Sequence, residues 1–416
     1  MRFSHRFRPL AARLALLASV IGPGIITANV DNDAGGITTY SIAGAHFGYT
    51  ILWIMPLLAV VLIIVQELSA RLGVVTGKGL ADLIRESLGV RVTALVVGVL
   101  LIANLANTVS EFAGVAAGME IFGVSKFISV PIAAVLVWLL IVRGNYRTVE
   151  RVFLVASAIY LAYVAAGILE HPDWPLIGRS LVTPQFHFEK GYITILITII
   201  GTTIAPWMQF YQQSAIADKG LEPSDYAYER IDVIIGSLFA IGVAVFITIS
   251  CAATLHASGN RIETAKDAAL ALRSLAGPYA SILFAVGLLN ASVFSAAILP
   301  LSTAYVFCEA FGWESGVSRR IGEAPAFFGI FTAIIVIGAG IILLPVRSLV
   351  QMMILSQTLN GILLPLILVV MLILVNNRGL MGEKFVNGKF LNTVSITVIV
   401  LLTALTGMLV VTSLAG

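Results

Sequence analysis

Two carboxylates and two consecutive glycines, Asp31-Asn32-Asp33-Ala34-Gly35-Gly36, sit inside an apolar run that extends from Leu10 to Phe47. Such a run is long enough for a membrane-crossing helix, which needs about 20 residues. A charge or an unpaired backbone group exposed to lipid costs several kcal/mol or so. Glycine lets a chain leave helical geometry. The pattern therefore predicts a membrane helix interrupted at 32–36, with Asp33 facing a protected cavity.

Composition supports the membrane setting. Of 416 residues, 59% are apolar and 11% charged, against about 25% charged in soluble domains. This excludes a soluble enzyme, and a net charge of +3 gives no signal for nucleic acid. Cys251 and Cys308 lie in apolar runs and read as buried thiols rather than a disulfide or metal site. The five histidines are scattered without ligand spacing. The basic start and apolar run of residues 1–20 imitate a signal peptide. The run continues past Gly22-Pro23-Gly24 into the acidic stretch, so it is read as the first membrane helix.

Eleven spans are expected, at about 10–46, 49–75, 92–123, 127–143, 149–170, 190–218, 229–255, 278–311, 325–345, 348–376 and 391–414. With the N-terminus in the cytoplasm, about eighteen Lys and Arg residues fall inside and seven outside. The positive-inside rule favours that orientation, and an odd number of spans puts the C-terminus outside. The sixth span repeats the oddity of the first. Its apolar run reaches Ala205-Pro206 and then turns polar, with Gln209, Gln212, Gln213 and Ser214. A proline within a helix removes a hydrogen bond and clashes with the preceding turn. Two interrupted helices in corresponding positions point to an inverted-repeat transporter whose freed carbonyls can coordinate a cation near the midplane. The expected architecture is one all-α transmembrane domain over 1–416. A first five-helix repeat covers 10–170, a second covers 190–376, and an eleventh helix covers 391–414.

Several motifs then resemble a known family. Gly22-Pro23-Gly24, Asp33-Ala34-Gly35-Gly36 and the segment from Ala43 to Tyr49 resemble helix 1 of the Nramp divalent-metal transporters. The segment from Ser69 to Lys78 is similar to the close of Nramp helix 2, and its match is the most specific. Glu111 with Gly114, Gly287-Leu288-Leu289, and Ser356-Gln357 also fit. The resemblance spans nearly the whole chain and implies a LeuT-like fold with helices 1 and 6 broken, a transport function and a monomer in the plasma (inner) membrane. The departures are informative. Nramp transporters carry Asp-Pro-Gly-Asn in helix 1, where this chain ends on Gly36, and Met-Pro-His in helix 6, where it has Ala205-Pro206-Trp207. Thr108 stands where proton-coupled members have an aspartate. This combination resembles the Nramp-related magnesium transporters, a branch without strong proton coupling.

The residues can be read chemically beside that resemblance. Asp33, carbonyls near Asp33 and Ala205, Gln357 and Gln209 supply hard oxygen donors, without thioether, imidazole or thiolate at the matching positions. Carboxylate, carbonyl and water suit Mg²⁺, Ca²⁺ and Mn²⁺, whereas soft ligands select transition metals. Gly36 and Ala205 replace larger ligands, so a wider cavity is expected, suited to Mg²⁺, which keeps several waters. Mg²⁺ is thus expected as transported substrate, with Mn²⁺ also passing, and no cofactor is implied.

Each assignment has a plainer alternative. Asp33 can be a helix cap, and Asp31 a solvated turn or a source of vestibule charge. Ala34, Gly35 and Pro206 can shape backbone, Trp207 can be packing or cavity wall, and Gln357 can be a polar interhelical contact. Glu111, Thr108 and Arg71 are read as structural partners or relay members, Glu67 as a solvated residue near a helix end. Asn104, Asn107, Asn290 and Ser292 are expected in interhelical hydrogen bonds. Two other transport readings compete: a proton-coupled Mn²⁺/Fe²⁺ transporter, and a sodium-coupled amino-acid symporter of LeuT-like fold. A membrane enzyme is disfavoured, because no nucleophile–base pair or metal-binding His motif is present.

Overall fold

The computed structural model describes residues 30–143, 157–317, 319–345 and 348–415. Within them the chain is helical throughout, with no strand. The helices are α1 (Ala34–Phe47), α2 (Ile54–Thr76), α3 (Leu80–Leu88), α4 (Val90–Ile121), α5 (Lys126–Arg143), α6 (Leu161–Leu169), α7 (Trp174–Val182), α8 (Lys190–Thr203), α9 (Pro206–Lys219) and α10 (Tyr226–Cys251). They continue with α11 (Ala280–Phe311), α12 (Pro325–Leu343), α13 (Leu349–Val375), α14 (Arg378–Phe385) and α15 (Lys389–Ala415). Among the described residues, nine helical segments are long and apolar enough to cross a membrane, counting α8 and α9 together. The other two expected spans, 10–46 and 149–170, fall partly outside the described residues, as does Gly22-Pro23-Gly24. The short connecting helices α3, α7 and α14 were not expected.

In a bilayer, helices associate by close packing, which small residues allow. At Gly201 in α8, an added Cβ would stand 2.1 Å from the Gln357 carbonyl oxygen and 2.3 Å from the Gly361 nitrogen. At Gly361 in α13, it would stand 2.4 Å from the Ile197 carbonyl oxygen. The backbones of α8 and α13 thus touch where these glycines face each other. Gly114 plays the same part in α4, where a Cβ would come within 2.4 Å of the Ala34 Cβ. These approaches bring α4, α8 and α13 around the start of α1. The peripheral α15 packs on α8 and α13.

The polar contacts expected of α4 divide. Asn104 donates to the Thr303 hydroxyl at 3.0 Å, and Asn107 and Asn360 exchange amide hydrogen bonds of 3.1 and 2.9 Å. Asn290 and Ser292 do not behave as expected: the Asn290 amide nitrogen and the Ser292 hydroxyl have no hydrogen-bond partner. Glu67 is a further correction. It is buried, not solvated, and pairs with Arg71 one helical turn later, at 3.2 Å from Nε. Arg71 also donates to the Phe385 carbonyl at 3.0 Å and to Asn387, and the Tyr226 hydroxyl donates to Glu67. Through Glu67 and Arg71, α2 is tied to α10 and to the end of α14.

Candidate functional site

The first interruption is narrower than the sequence implies. Among the described residues up to Phe47, non-helical backbone is confined to Asn32 and Asp33, and α1 begins at Ala34. Gly35 and Gly36 are helical and neither has a positive φ. Asp33 is the N-cap: its side chain accepts from the Gly36 nitrogen at 2.6 Å, and its carbonyl accepts from Ile37 at 2.9 Å. A carboxylate in that place satisfies an orphan N–H and meets the positive end of the helix dipole, so the helix restarts at once.

The glycines serve close approach instead. A Cβ at Gly35 would overlap the Gln357 amide, 2.0 Å from Nε2. At Gly36 it would stand 2.5 Å from the Asp31 carbonyl oxygen and 3.2 Å from the Thr202 hydroxyl. The space left by the missing side chain at Gly36 is therefore occupied by backbone and a hydroxyl. In this conformation it does not widen the cavity as expected. Thr202 is a member of this region that sequence reasoning missed. Its signal was the polar Thr202-Thr203 pair just before the second break.

The second break is built from Ile204 and Ala205, which leave helical geometry between α8 and α9, with Pro206 opening α9. Proline suits a first helical position because its missing N–H would be unsatisfied there anyway. The C-terminus of α8 and the N-terminus of α1 meet here: Tyr40 of α1 and Thr203 share a 2.8 Å hydroxyl contact. With its nitrogen turned inward, the Gln209 side chain donates to the Ala205 and Pro206 carbonyls, each at 2.9 Å. Gln209 thus covers the Ala205 and Pro206 carbonyls with its amide nitrogen. Trp207 is buried, with its ring beside Tyr211 at 6.2 Å, and its carbonyl accepts from Ser302 at 3.4 Å.

Around Asp33 the partners converge. Gln357 Nε2 donates to both carboxylate oxygens, at 3.3 and 3.4 Å. Its Oε1 accepts from Asn360 at 2.8 Å, and Asn360 is held by Asn107. This chain of amides fixes Gln357 as a donor toward Asp33. Cation ligation through Oε1 would need its amide to turn over. Beside Asp33, Glu111 Oε2 accepts from the Ala34 nitrogen at 3.3 Å, while Glu111 Oε1 has no hydrogen-bond partner. Asp31 is 2% exposed, and neither of its carboxylate oxygens has a hydrogen-bond partner.

Thr108 faces elsewhere: its hydroxyl donates to the Asn104 carbonyl at 2.8 Å, and its methyl packs where a Cβ on Gly338 would stand, 2.7 Å away. Among the described residues, no three His, Cys, Asp or Glu side chains are placed to hold a metal ion together. What the geometry offers a cation is one capped carboxylate, a second buried carboxylate, and nearby neutral oxygens.

Comparison with known proteins agrees with this architecture. Residues 24–412 match the family described as natural resistance-associated macrophage protein-like, Nramp. The divalent metal cation transporter MntH of Yersinia pestis (strain Pestoides F) is 30% identical over 376 residues, covering 88% of each chain. MntH of Bacillus subtilis (strain 168) is 27% identical over 408 residues, covering 95% of this chain and 92% of that one. Among solved structures, the Eremococcus coleocola manganese transporter superposes with a TM-score of 0.76 at 23% identity, over 96% of this chain and 87% of that one. Mhp1, a nucleobase-cation-symport-1 family transporter in a closed conformation, gives 0.60 at 15% identity, over 94% and 91%. These two likenesses concern the fold, which is the LeuT-like all-α membrane architecture. With a family match across most of its length and a relative at 30% identity, the chain belongs to the Nramp family, whose members are transporters rather than enzymes.

Proposed function

We propose that the chain transports Mg²⁺, together with Mn²⁺, as a largely hydrated ion by alternating access and with little proton coupling. The observation that carries this reading is the donor set around Asp33. It consists of carboxylate, hydroxyl and backbone oxygens from Asp31, Asp33 and Thr202, with the Gln357 amide nitrogen turned toward Asp33 and no sulfur or imidazole among them. Hard oxygen donors with few charges suit an ion that keeps several waters. The amide N–H groups of Gln357 donate to Asp33 as the water of a hydrated cation would, so one can replace the other as the ion arrives. Relatives named for divalent metal cation and manganese transport support the cargo class.

In this reading the two repeats run over 10–170 and 190–376 and 391–414 is an added helix. The protein works as a monomer in the plasma membrane, with its N-terminus inside and C-terminus outside. A negative-inside potential supplies about 2.3 kcal/mol per charge per 100 mV, enough to draw in a divalent ion without protons.

One observation favours a second reading. Glu111 is a fully buried carboxyl beside the Asp33 cap, with Oε2 on the Ala34 nitrogen at 3.3 Å and Oε1 without a partner, and such a group can carry a proton. A proton leaving it finds Thr108, whose hydroxyl is engaged by its own helix, and Trp207 where the family has histidine. Flux into proteoliposomes loaded with a Mg²⁺-sensitive dye and a pH dye separates the two. Mg²⁺ uptake without internal acidification is expected. Mn²⁺ uptake tied to proton influx, with no Mg²⁺ signal, would sink the proposal.

Selectivity has its own test. Ala205→Met adds a thioether at the second break, and soft ligands favour soft metals. Calorimetry is expected to show Cd²⁺ affinity rising about tenfold with Mg²⁺ affinity unchanged or weaker. Unchanged Cd²⁺ affinity would mean that shape, not ligand identity, sets selectivity. Gly36 is left as it stands in this experiment, because any Cβ there meets the Asp31 carbonyl at 2.5 Å.

A further inference from the structure

Away from the breaks, α10 begins with two acidic residues that the site around Asp33 does not use. Glu229 and Asp232 are three residues apart, so they lie on one helix face, and both are 0% exposed. Neither carboxylate oxygen of Glu229 has a hydrogen-bond partner of normal geometry. Beside Glu229 stands Gln212 of α9, also 0% exposed, whose amide nitrogen and oxygen likewise lack such partners. Buried polar groups are paired in the great majority of cases, and each exception calls for an explanation. An intramembrane carboxylate is functional by default.

Their depth is informative. Asn32 donates to the Ala240 carbonyl at 3.5 Å, so Ala240 marks the level of the first break on α10. Glu229 lies eleven residues before it, about 16 Å along the helix at 1.5 Å per residue. Gln212 lies seven residues beyond Ala205, about 10 Å along α9. The connection from α9 to α10 is short, so both helices place these residues toward the same end of the molecule. Asp33 and Glu229 are thus stacked along one direction, with Asp232 between them.

We propose that Glu229, Asp232 and Gln212 form a second divalent-cation site, a station between the Asp33 site and the end of the molecule where α9 turns into α10. Its donors are two carboxylates and one amide oxygen, the hard set that suits Mg²⁺ and Mn²⁺. From the proposed function it takes only that the cargo is a divalent cation. Two stations let an ion be handed on while the first site is still closed to the opposite side.

The test is the stoichiometry of Mn²⁺ bound to the purified full chain, read by paramagnetic resonance of free ion at rising Mn²⁺. Two sites are expected in the wild type, one in Asp33→Ala, one in Glu229→Gln and none in the double variant. If Glu229→Gln retains the wild-type stoichiometry, or Asp33→Ala alone removes all binding, the second site does not exist. If Asp33→Ala leaves two sites while Glu229→Gln removes one, the reading of Asp33 fails and this one stands. Should Glu229→Gln not fold, Gln212→Leu serves in its place. It is expected to weaken one of the two sites about tenfold, and unchanged affinity at both overturns the proposal.

Discussion

Asp33→Asn will lose divalent transport by about 100-fold or more while melting close to the wild type. The substitution separates the cap that Asp33 forms from the cation ligation proposed for it. As an N-cap it holds the Gly36 nitrogen at 2.6 Å, and asparagine caps a helix about as well as aspartate. The start of α1 should therefore survive with only a few tenths of a kcal/mol or so lost. The charge is what disappears. A divalent ion about 4 Å from a single carboxylate gains about 8 kcal/mol at an effective dielectric of 20, twice the unit-charge value. Desolvation returns much of that, and a net loss of about 3 kcal/mol corresponds to the stated fall in affinity. Asp33→Ala removes the cap as well and should cost about 1 kcal/mol more in stability. The measurement pairs dye-reported Mg²⁺ and Mn²⁺ flux with thermal melting for both variants. Near-wild-type flux in Asp33→Asn would reduce Asp33 to a cap and leave Asp31 as the acidic donor.

The same pairing of cap and charge explains how far the sequence could be read. The spans were legible because lipid leaves a helix little choice: each backbone group must be satisfied within its own segment. The second break was legible because proline announces itself locally, and α9 does begin at Pro206. The first break was placed correctly but drawn too wide. The glycines were credited with bending the backbone, when the carboxylate cap confines the disruption to Asn32 and Asp33. What Gly35 and Gly36 do instead is admit Gln357, the Asp31 carbonyl and Thr202 to the surface of α1. That contact joins positions more than 150 residues apart in two of its three cases, and nothing in the local sequence encodes it. The direction of the Gln357 amide is hidden for the same reason, being set through Asn360 on its own helix and Asn107 on α4. Glu67 was legible and was passed over: a glutamate four residues before an arginine on a helix is a stabilising pair by spacing alone.

That pair carries the other large effect. Arg71→Met should destabilise the protein by about 3–5 kcal/mol, the cost of stranding the partner of a buried ion pair. Arg71 and Glu67 are 5% and 8% exposed, so water cannot take the place of the missing guanidinium. Glu67 would keep only the Tyr226 hydroxyl, and the links from Arg71 to Phe385 and Asn387 would be lost. In a chain of this size the apparent melting temperature in detergent should fall by about 5 °C. Removing the second charge separates a structural pair from a relay. Replacing both partners of a buried ion pair by neutral groups is often nearly neutral, so Glu67→Gln with Arg71→Met should recover more than half of the lost stability. If the pair is structural, that double variant also transports Mg²⁺ at near the wild-type rate per folded molecule. If Arg71 takes part in moving ions or protons, stability returns and flux does not. The double variant therefore decides whether the C-terminal end of α2 is a fixed brace against which the breaks at Asp33 and Ala205 work, or part of the path itself.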